Sequence, residues 1–208
     1  MLIPYGDRGV LIDFSEHSDP LGQVLAYQSQ LEQEKLPCIV DLIPAAQTLL
    51  VVFNRDPHGI TLPALNNEVA KTGTGQSHTI AVAYDGADLT ELADELHLHP
   101  QELITAHTEI TWTAAFAGFA PGFLYLRPDP DSPHAALFAG IPRRSQPRTS
   151  IPAGSVGLAG GFSAVYPQSS PGGWQLIGRT DERMWDLNRE HPALLTPGDT
   201  VRFQEKTC

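Results

Sequence analysis

An α+β fold in two parts is predicted by three observations on this 208-residue sequence. Apolar residues in the first third alternate between a period of two and a period near 3.6, as strands and helices taking turns require. From Glu109 onward the chain is made of short β-type runs separated by glycine and proline, the pattern of a barrel. Charge is also uneven: residues 1–126 hold four basic and sixteen acidic side chains and residues 127–208 hold nine and eight, giving −12 and +1. The two domains are expected at 1–76 and 77–208.

In the run GVLIDF, Val10, Ile12 and Phe14 fall at period two and predict a half-buried strand. A helix follows. Ser18 or Asp19 can cap it, Pro20 suits its first position, and Leu21, Val24, Leu25, Gln28 and Leu31 mark one mostly apolar face. CIVDLI at 38–43 and TLLVVF at 48–53 are rich in β-branched residues, and the short Pro44-Ala45-Ala46 link makes them a hairpin. A second helix is expected over 61–71, with Thr61 as its cap, and HTIAVAY at 78–84 is a further strand. The order β-α-β-β-α-β is that of a split βαβ, ferredoxin-like unit. Asp88 is placed to cap LTELADELHL, and Pro100 opens another short helix, PQELITAHT. The runs EITWTAAF, FLYL, SIPAGSVGLAG, FSAVY, WQLIG and TVRFQE then supply the barrel strands.

Composition narrows the function. A net charge of −11 argues against nucleic acid as a partner, since gripping phosphate backbones needs clustered Lys and Arg. No apolar run reaches the roughly 20 residues of a membrane span, and MLIPYGDRG lacks the features of a secretory signal, so a cytoplasmic protein is expected. Cys38 and Cys208 fit a reducing compartment.

The densest information lies between Gly118 and Thr180. There, glycine and proline specify tight loops, and Arg143, Arg144, Arg148 and Arg179 offer planar forks for carboxylate or phosphate. The runs Gly118-Phe119-Ala120-Pro121-Gly122-Phe123-Leu124-Tyr125-Leu126, Pro147-Arg148-Thr149, Ile151-Pro152-Ala153-Gly154-Ser155-Val156, Tyr166-Pro167, Ser170-Pro171-Gly172-Gly173-Trp174 and Ile177-Gly178-Arg179-Thr180 carry a resemblance. The chain resembles the 5-oxoprolinase B-subunit family, also called the KipI or allophanate hydrolase subunit 1 family, over essentially its whole length. The match is looser in the first 75 residues.

The resemblance implies a ferredoxin-like N-terminal domain followed by a cyclophilin-like β-barrel. It also implies ATP-dependent opening of 5-oxoproline to glutamate, with Mg2+ accompanying ATP, in an assembly with a larger paralogous subunit and a third subunit. Two other functions occur among similar proteins: inhibition of a sensor histidine kinase and hydrolysis of allophanate. Opening a lactam at neutral pH needs an activated carbonyl, which phosphorylation by ATP provides, and a site that tolerates two anions. Lys71-Thr72-Gly73-Thr74-Gly75 is not a Walker A loop, so the phosphates must be held by another arrangement or by the partner, and this chain alone is expected to be inactive.

For the small anionic substrate, Arg148 and Arg179 are the first candidates, since each lies in a matched motif; bracing of loops is their structural alternative. His107, between a helix and a strand, is either a general acid–base or a satisfied core histidine. Gly172 and Gly173 can present amides to an anion or form an ordinary turn, and Trp174 is a flat wall or a core ring. Phe119 and Phe123 either line a cleft or fill the barrel, and Ser155 and Thr180 are pocket hydroxyls. His97 and His99 form an HxH pair at a helix joint, and no metal site is expected.

Overall fold

The computed structural model describes residues 2–66 and 75–206. The chain divides into two compact units, Met1–Gly73 and Thr74–Cys208. In the first, β1 (Leu2–Tyr5) and β2 (Gly9–Asp13) form a hairpin, α1 (Pro20–Glu34) follows, and β3 (Ile39–Pro44) and β4 (Thr48–Phe53) form a second hairpin. The sheet order is β1-β2-β4-β3, every neighbour antiparallel. β4 therefore separates β2 from β3, which run parallel to each other and are joined through α1 as a split β-α-β.

Local chemistry explains these elements. Asp19 Oδ1 accepts from the Gly22 N–H at 3.1 Å, and Pro20 takes the first helical position, so Asp19 is the cap. Register pairs Val10 with Val51 and Ile12 with Leu49 on one face. There Ile12, Leu49, Val51 and Phe53 pack with Val24, Tyr27 and Leu31 of α1. Burying each such side chain contributes about 1.5–3 kcal/mol.

Two expectations for this unit need correction. Residues 61–66 are not helical, and 67–71 lie outside the described residues. The Pro63 carbonyl accepts the Tyr27 hydroxyl at 2.6 Å and the Ala64 carbonyl accepts Gln30 Nε2 at 3.0 Å, so these carbonyls bind side chains of α1 and not helical amides. The strand expected at 78–84 exists as β5 (Ser77–Val82) and lies in the second unit, on the 77–208 side of the expected boundary, so the β-α-β-β-α-β order counted it wrongly as part of the first unit. Its partner lies near the C-terminus of the chain, which no local periodicity encodes.

The second unit continues from β5 with α2 (Leu89–Glu95), α3 (Pro100–Glu109), β6 (Trp112–Ala117), β7 (Leu124–Pro128) and α4 (Ala135–Ala139). It is completed by β8 (Arg148–Ile151), β9 (Ser155–Ala159), β10 (Phe162–Val165), β11 (Ser170–Gly172), β12 (Gln175–Arg179) and β13 (Thr200–Glu205). Seven strands form one sheet in the order β12-β9-β10-β7-β6-β13-β5, with β5 parallel to β13. Beyond β5, Ala83 exchanges both backbone hydrogen bonds with Arg179 of β12, at 2.8 and 2.9 Å. First and last strands thus meet, and the sheet is a nearly closed barrel.

β8 and β11 form a separate two-stranded ribbon. The run SIPAGSVGLAG, expected as one strand, breaks at Pro152–Gly154 into β8 and β9, because Gly154 has a φ of 80° and turns the chain. Trp112, Leu103, Ile110 and Phe203 fill the principal core, while Phe123, Tyr166 and Trp174 fill a smaller one near the ribbon.

Candidate functional site

The loop after β5 passes along β12 and carries two aspartates to it. Asp88 is the deeper, at 1% exposure. Its Oδ2 accepts the Leu176 N–H at 2.7 Å and Arg148 Nη1 at 2.9 Å, its Oδ1 accepts Arg148 Nη2 at 2.7 Å, and Arg144 Nη1 pairs with the same Oδ1. Burial alone would raise the Asp88 pKa, but the Arg148 hydrogen bonds, the Leu176 amide and the two guanidinium charges together hold it below the usual carboxylate value. The expected capping role of Asp88 is therefore corrected: its side chain makes no cap bond to α2, because it is fully occupied by the arginines.

Arg179 pairs with the other aspartate of the loop. Its Nε lies 2.8 Å from Asp85 Oδ2 and its Nη2 is also 2.8 Å from that oxygen, and both side chains are largely exposed. Arg148 and Arg179 thus serve one loop at points three residues of β12 apart, roughly 10 Å at strand rise. Each is engaged by an internal carboxylate. Ser155 and Thr180 lie at the Arg179 end: Ser155 is opposite Arg179 in the β9–β12 register, and the Thr180 N–H donates to the Gly154 carbonyl at 2.8 Å.

His107 is fully buried. Nδ1 is 2.7 Å from the Tyr84 hydroxyl, Nε2 is 2.9 Å from Ser163 Oγ, and the ring stacks on Phe203 with centroids 4.4 Å apart. Desolvation pushes its pKa down to about 3, so the ring is neutral at pH 7. Of the two sequence readings, this geometry matches the satisfied core histidine; an acid–base role lacks both a solvent path and a free nitrogen.

The remaining candidates meet around Tyr166. Phe123 and Trp174 are buried, edge-on to one another at 5.5 Å, so both are core rings and not the walls of a cleft. Gly172 is needed because any Cβ there would run into the Tyr166 hydroxyl, and the Gly173 carbonyl accepts the Arg144 N–H at 2.7 Å. Burial pushes the Tyr166 pKa up to about 12, against the opposing pull of Arg143, the Trp174 amide and Arg148. Phe119 differs from all of these. It is 60% exposed, packs edge-on against Phe123 at 5.3 Å, and holds a φ of 67°, a left-handed conformation rare outside glycine.

Arg143 completes this surface. It is exposed, its charge acts on Tyr166, and it forms no ion pair among the described residues, whereas its neighbours Arg144 and Arg148 are held by Asp88. The side chains the sequence underrated are therefore Arg143, Tyr166 and Asp88. The sequence signals pointing here are the Tyr166-Pro167 pair and the position of Arg143 in the arginine- and proline-rich run. An exposed guanidinium and an exposed aromatic that share Tyr166 as a neighbour can take a small molecule with a carboxylate at one end and an apolar ring face at the other. His99 is also accounted for: its Nδ1 accepts the Gln101 N–H at 3.3 Å at the start of α3.

Three comparisons place this geometry among known proteins. A family model described as carboxyltransferase domain, subdomain C and D, matches residues 1–195. The 5-oxoprolinase B subunit of Bacillus subtilis is 35% identical over 222 residues, covering 95% of this chain and 89% of that protein. Its counterpart in Escherichia coli O157:H7, also a 5-oxoprolinase B subunit, is 37% identical over 178 residues, covering 81% and 78%. The crystal structure of TTHA0988 superposes with a TM-score of 0.73 at 32% identity, covering 97% of this chain; the chain spans 41% of TTHA0988.

Proposed function

This chain belongs to the 5-oxoprolinase B-subunit family, and on that premise we propose that it is one component of an assembly that opens 5-oxoproline to glutamate at the expense of ATP. The observation that carries the proposal is that the exposed Arg143 and the strained, exposed Phe119 both neighbour Tyr166, on a chain most of whose length aligns with proteins of that name. In this reading Arg143 takes the substrate carboxylate and Phe119 covers the apolar face of the lactam ring. Arg148 and Arg144, fixed by Asp88, hold the loop that presents Arg143. Arg179, largely exposed, stays as the candidate for a second contact, with Ser155 and Thr180 buried next to it in the chain and the sheet register.

ATP would supply the driving force by transferring its γ-phosphoryl group to the lactam oxygen with release of ADP; water would then add to the activated carbon, the ring C–N bond would break to free the amine, and a second water would release phosphate to leave glutamate. The glycine-rich turns of the barrel fit the phosphates poorly: Gly118, Gly154, Gly160 and Gly198 each donate their amide to a carbonyl of the barrel. A larger partner subunit and a third subunit complete the site in this proposal, and this chain alone is inactive. The same reading makes the first unit ferredoxin-like, supported by the split β-α-β of β2, α1 and β3, the barrel cyclophilin-like, and the protein cytoplasmic. No helix of the described residues is long and apolar enough to cross a membrane.

The test is reconstitution. The chain is mixed with a larger homologous subunit and the third subunit, and ATP-dependent glutamate release from 5-oxoproline is measured beside allophanate hydrolysis. Turnover of 5-oxoproline that requires all three proteins supports the proposal; background turnover by a folded, complete mixture, or preference for allophanate, overturns it.

A further inference from the structure

Residues 1–126 contain four basic side chains, and two of them line one cleft of the first unit. The cleft, of 850 Å3, lies between the turn joining β1 to β2, which contributes Asp7 and Arg8 to its lining, and the loop after β4, which contributes Arg55, Asp56 and His58. The fold fixes both walls. The Phe53 N–H donates to the Arg8 carbonyl at 2.8 Å, joining the turn to the start of the loop. Gly6 and Gly59, with φ of 63° and 77°, turn the chain back in each wall.

Neither Arg8 nor Arg55 forms an ion pair among the described residues, and Asp56 Oδ1 is occupied by the His58 N–H at 2.8 Å. Two arginines that line one cleft without a carboxylate partner of their own favour an anion between them. A lone carboxylate or phosphate would satisfy them but would face Asp7 and Asp56. An anion that brings its own divalent cation satisfies all four groups. Among the described residues no cluster of three or more His, Cys, Asp or Glu could hold a metal unaided, so the cation must arrive with its phosphates.

We propose that this cleft binds the polyphosphate chain of a small molecule, with Arg8 and Arg55 gripping phosphate oxygens and Asp7 and Asp56 facing the bound magnesium. The inference goes beyond the proposed activity and stands on the geometry of the first unit alone. It is tested on the full chain, without partners, by calorimetry and by amide NMR shifts. The probes are magnesium pyrophosphate, magnesium ATP, magnesium alone, inorganic phosphate and glutamate.

Saturable binding of magnesium pyrophosphate is expected, with shifts centred on residues 4–10 and 54–59. Magnesium ATP binding tighter than pyrophosphate identifies a nucleotide as the source; equal affinity identifies a bare oligophosphate. Arg8→Gln and Arg55→Gln should each weaken binding at least about tenfold while unfolding like the parent. Absence of saturable polyphosphate binding overturns the proposal, as do binding that survives both substitutions and glutamate binding in its place. Such a failure would leave the turnover assay of the assembly unaffected, since that assay reports on Arg143 and Phe119.

Discussion

Arg148 closes a two-point fork on Asp88, with Nη1 2.9 Å from Oδ2 and Nη2 2.7 Å from Oδ1. Because the Leu176 amide and Arg144 bind the same carboxylate, this one buried group ties together the loop after β5, strand β12 and the segment that carries Arg143. Forked pairing of this kind fixes direction as well as distance. It holds the loop that carries Arg143 without using Arg143 itself.

Asp88→Asn should lower unfolding stability by about 2–3 kcal/mol, measured by urea denaturation. Removing one partner of a buried pair commonly costs about 3–5 kcal/mol, and partial exposure of the two arginines reduces that figure. An unchanged denaturation midpoint would show that solvent compensates the arginines.

Stability should also fall with acid through two groups. His107 binds its proton near pH 3 in the folded chain and near about pH 6.5 when unfolded, so between those values the unfolded state holds more protons. The folded state loses about 1.4 kcal/mol per pH unit across that window. Asp88, held below the ordinary carboxylate value, adds stability above its unfolded pKa that is lost as pH falls through the folded one. Thermal unfolding of His107→Gln from pH 7 to 4 should show a flatter slope than the parent; identical slopes would remove His107 as the cause.

Arg143→Ala should leave stability within about 0.5 kcal/mol, as for an exposed side chain. In the reconstituted assembly it should lower kcat/KM for 5-oxoproline about tenfold to a hundredfold, the loss of a charged hydrogen bond. Arg179→Ala, which breaks an exposed pair with Asp85, should change stability by less than about 1 kcal/mol. Comparing the two in steady-state assays tells which end of β12 meets substrate.

Gly154→Ala should destabilise by more than about 1 kcal/mol in the same denaturation assay. Its φ of 80° disfavours any side chain, and a Cβ would strike the Thr180 carbonyl. A neutral effect would mean that the β8–β9 turn can relax.

Local pattern determined a good deal of this protein. The capped helix behind Asp19-Pro20, the hairpin of β3 and β4 and the strand-rich second half follow from spacing and turn chemistry that act between near neighbours, and the matched motifs from Gly118 to Thr180 carry the family resemblance. Tertiary structure decided what those motifs do. Asp88 reads as a helix cap until folding brings Arg144 and Arg148 to it. His107 reads as either catalyst or core histidine until Tyr84 and Ser163 close on its two nitrogens, and β5 fits both the β-α-β-β-α-β order and the start of the second domain until β13 pairs with it. These partners are 23 to 123 residues away in sequence. Ion pairing and burial depend on distance in space, so which arginine remained open to a ligand was settled when the barrel closed.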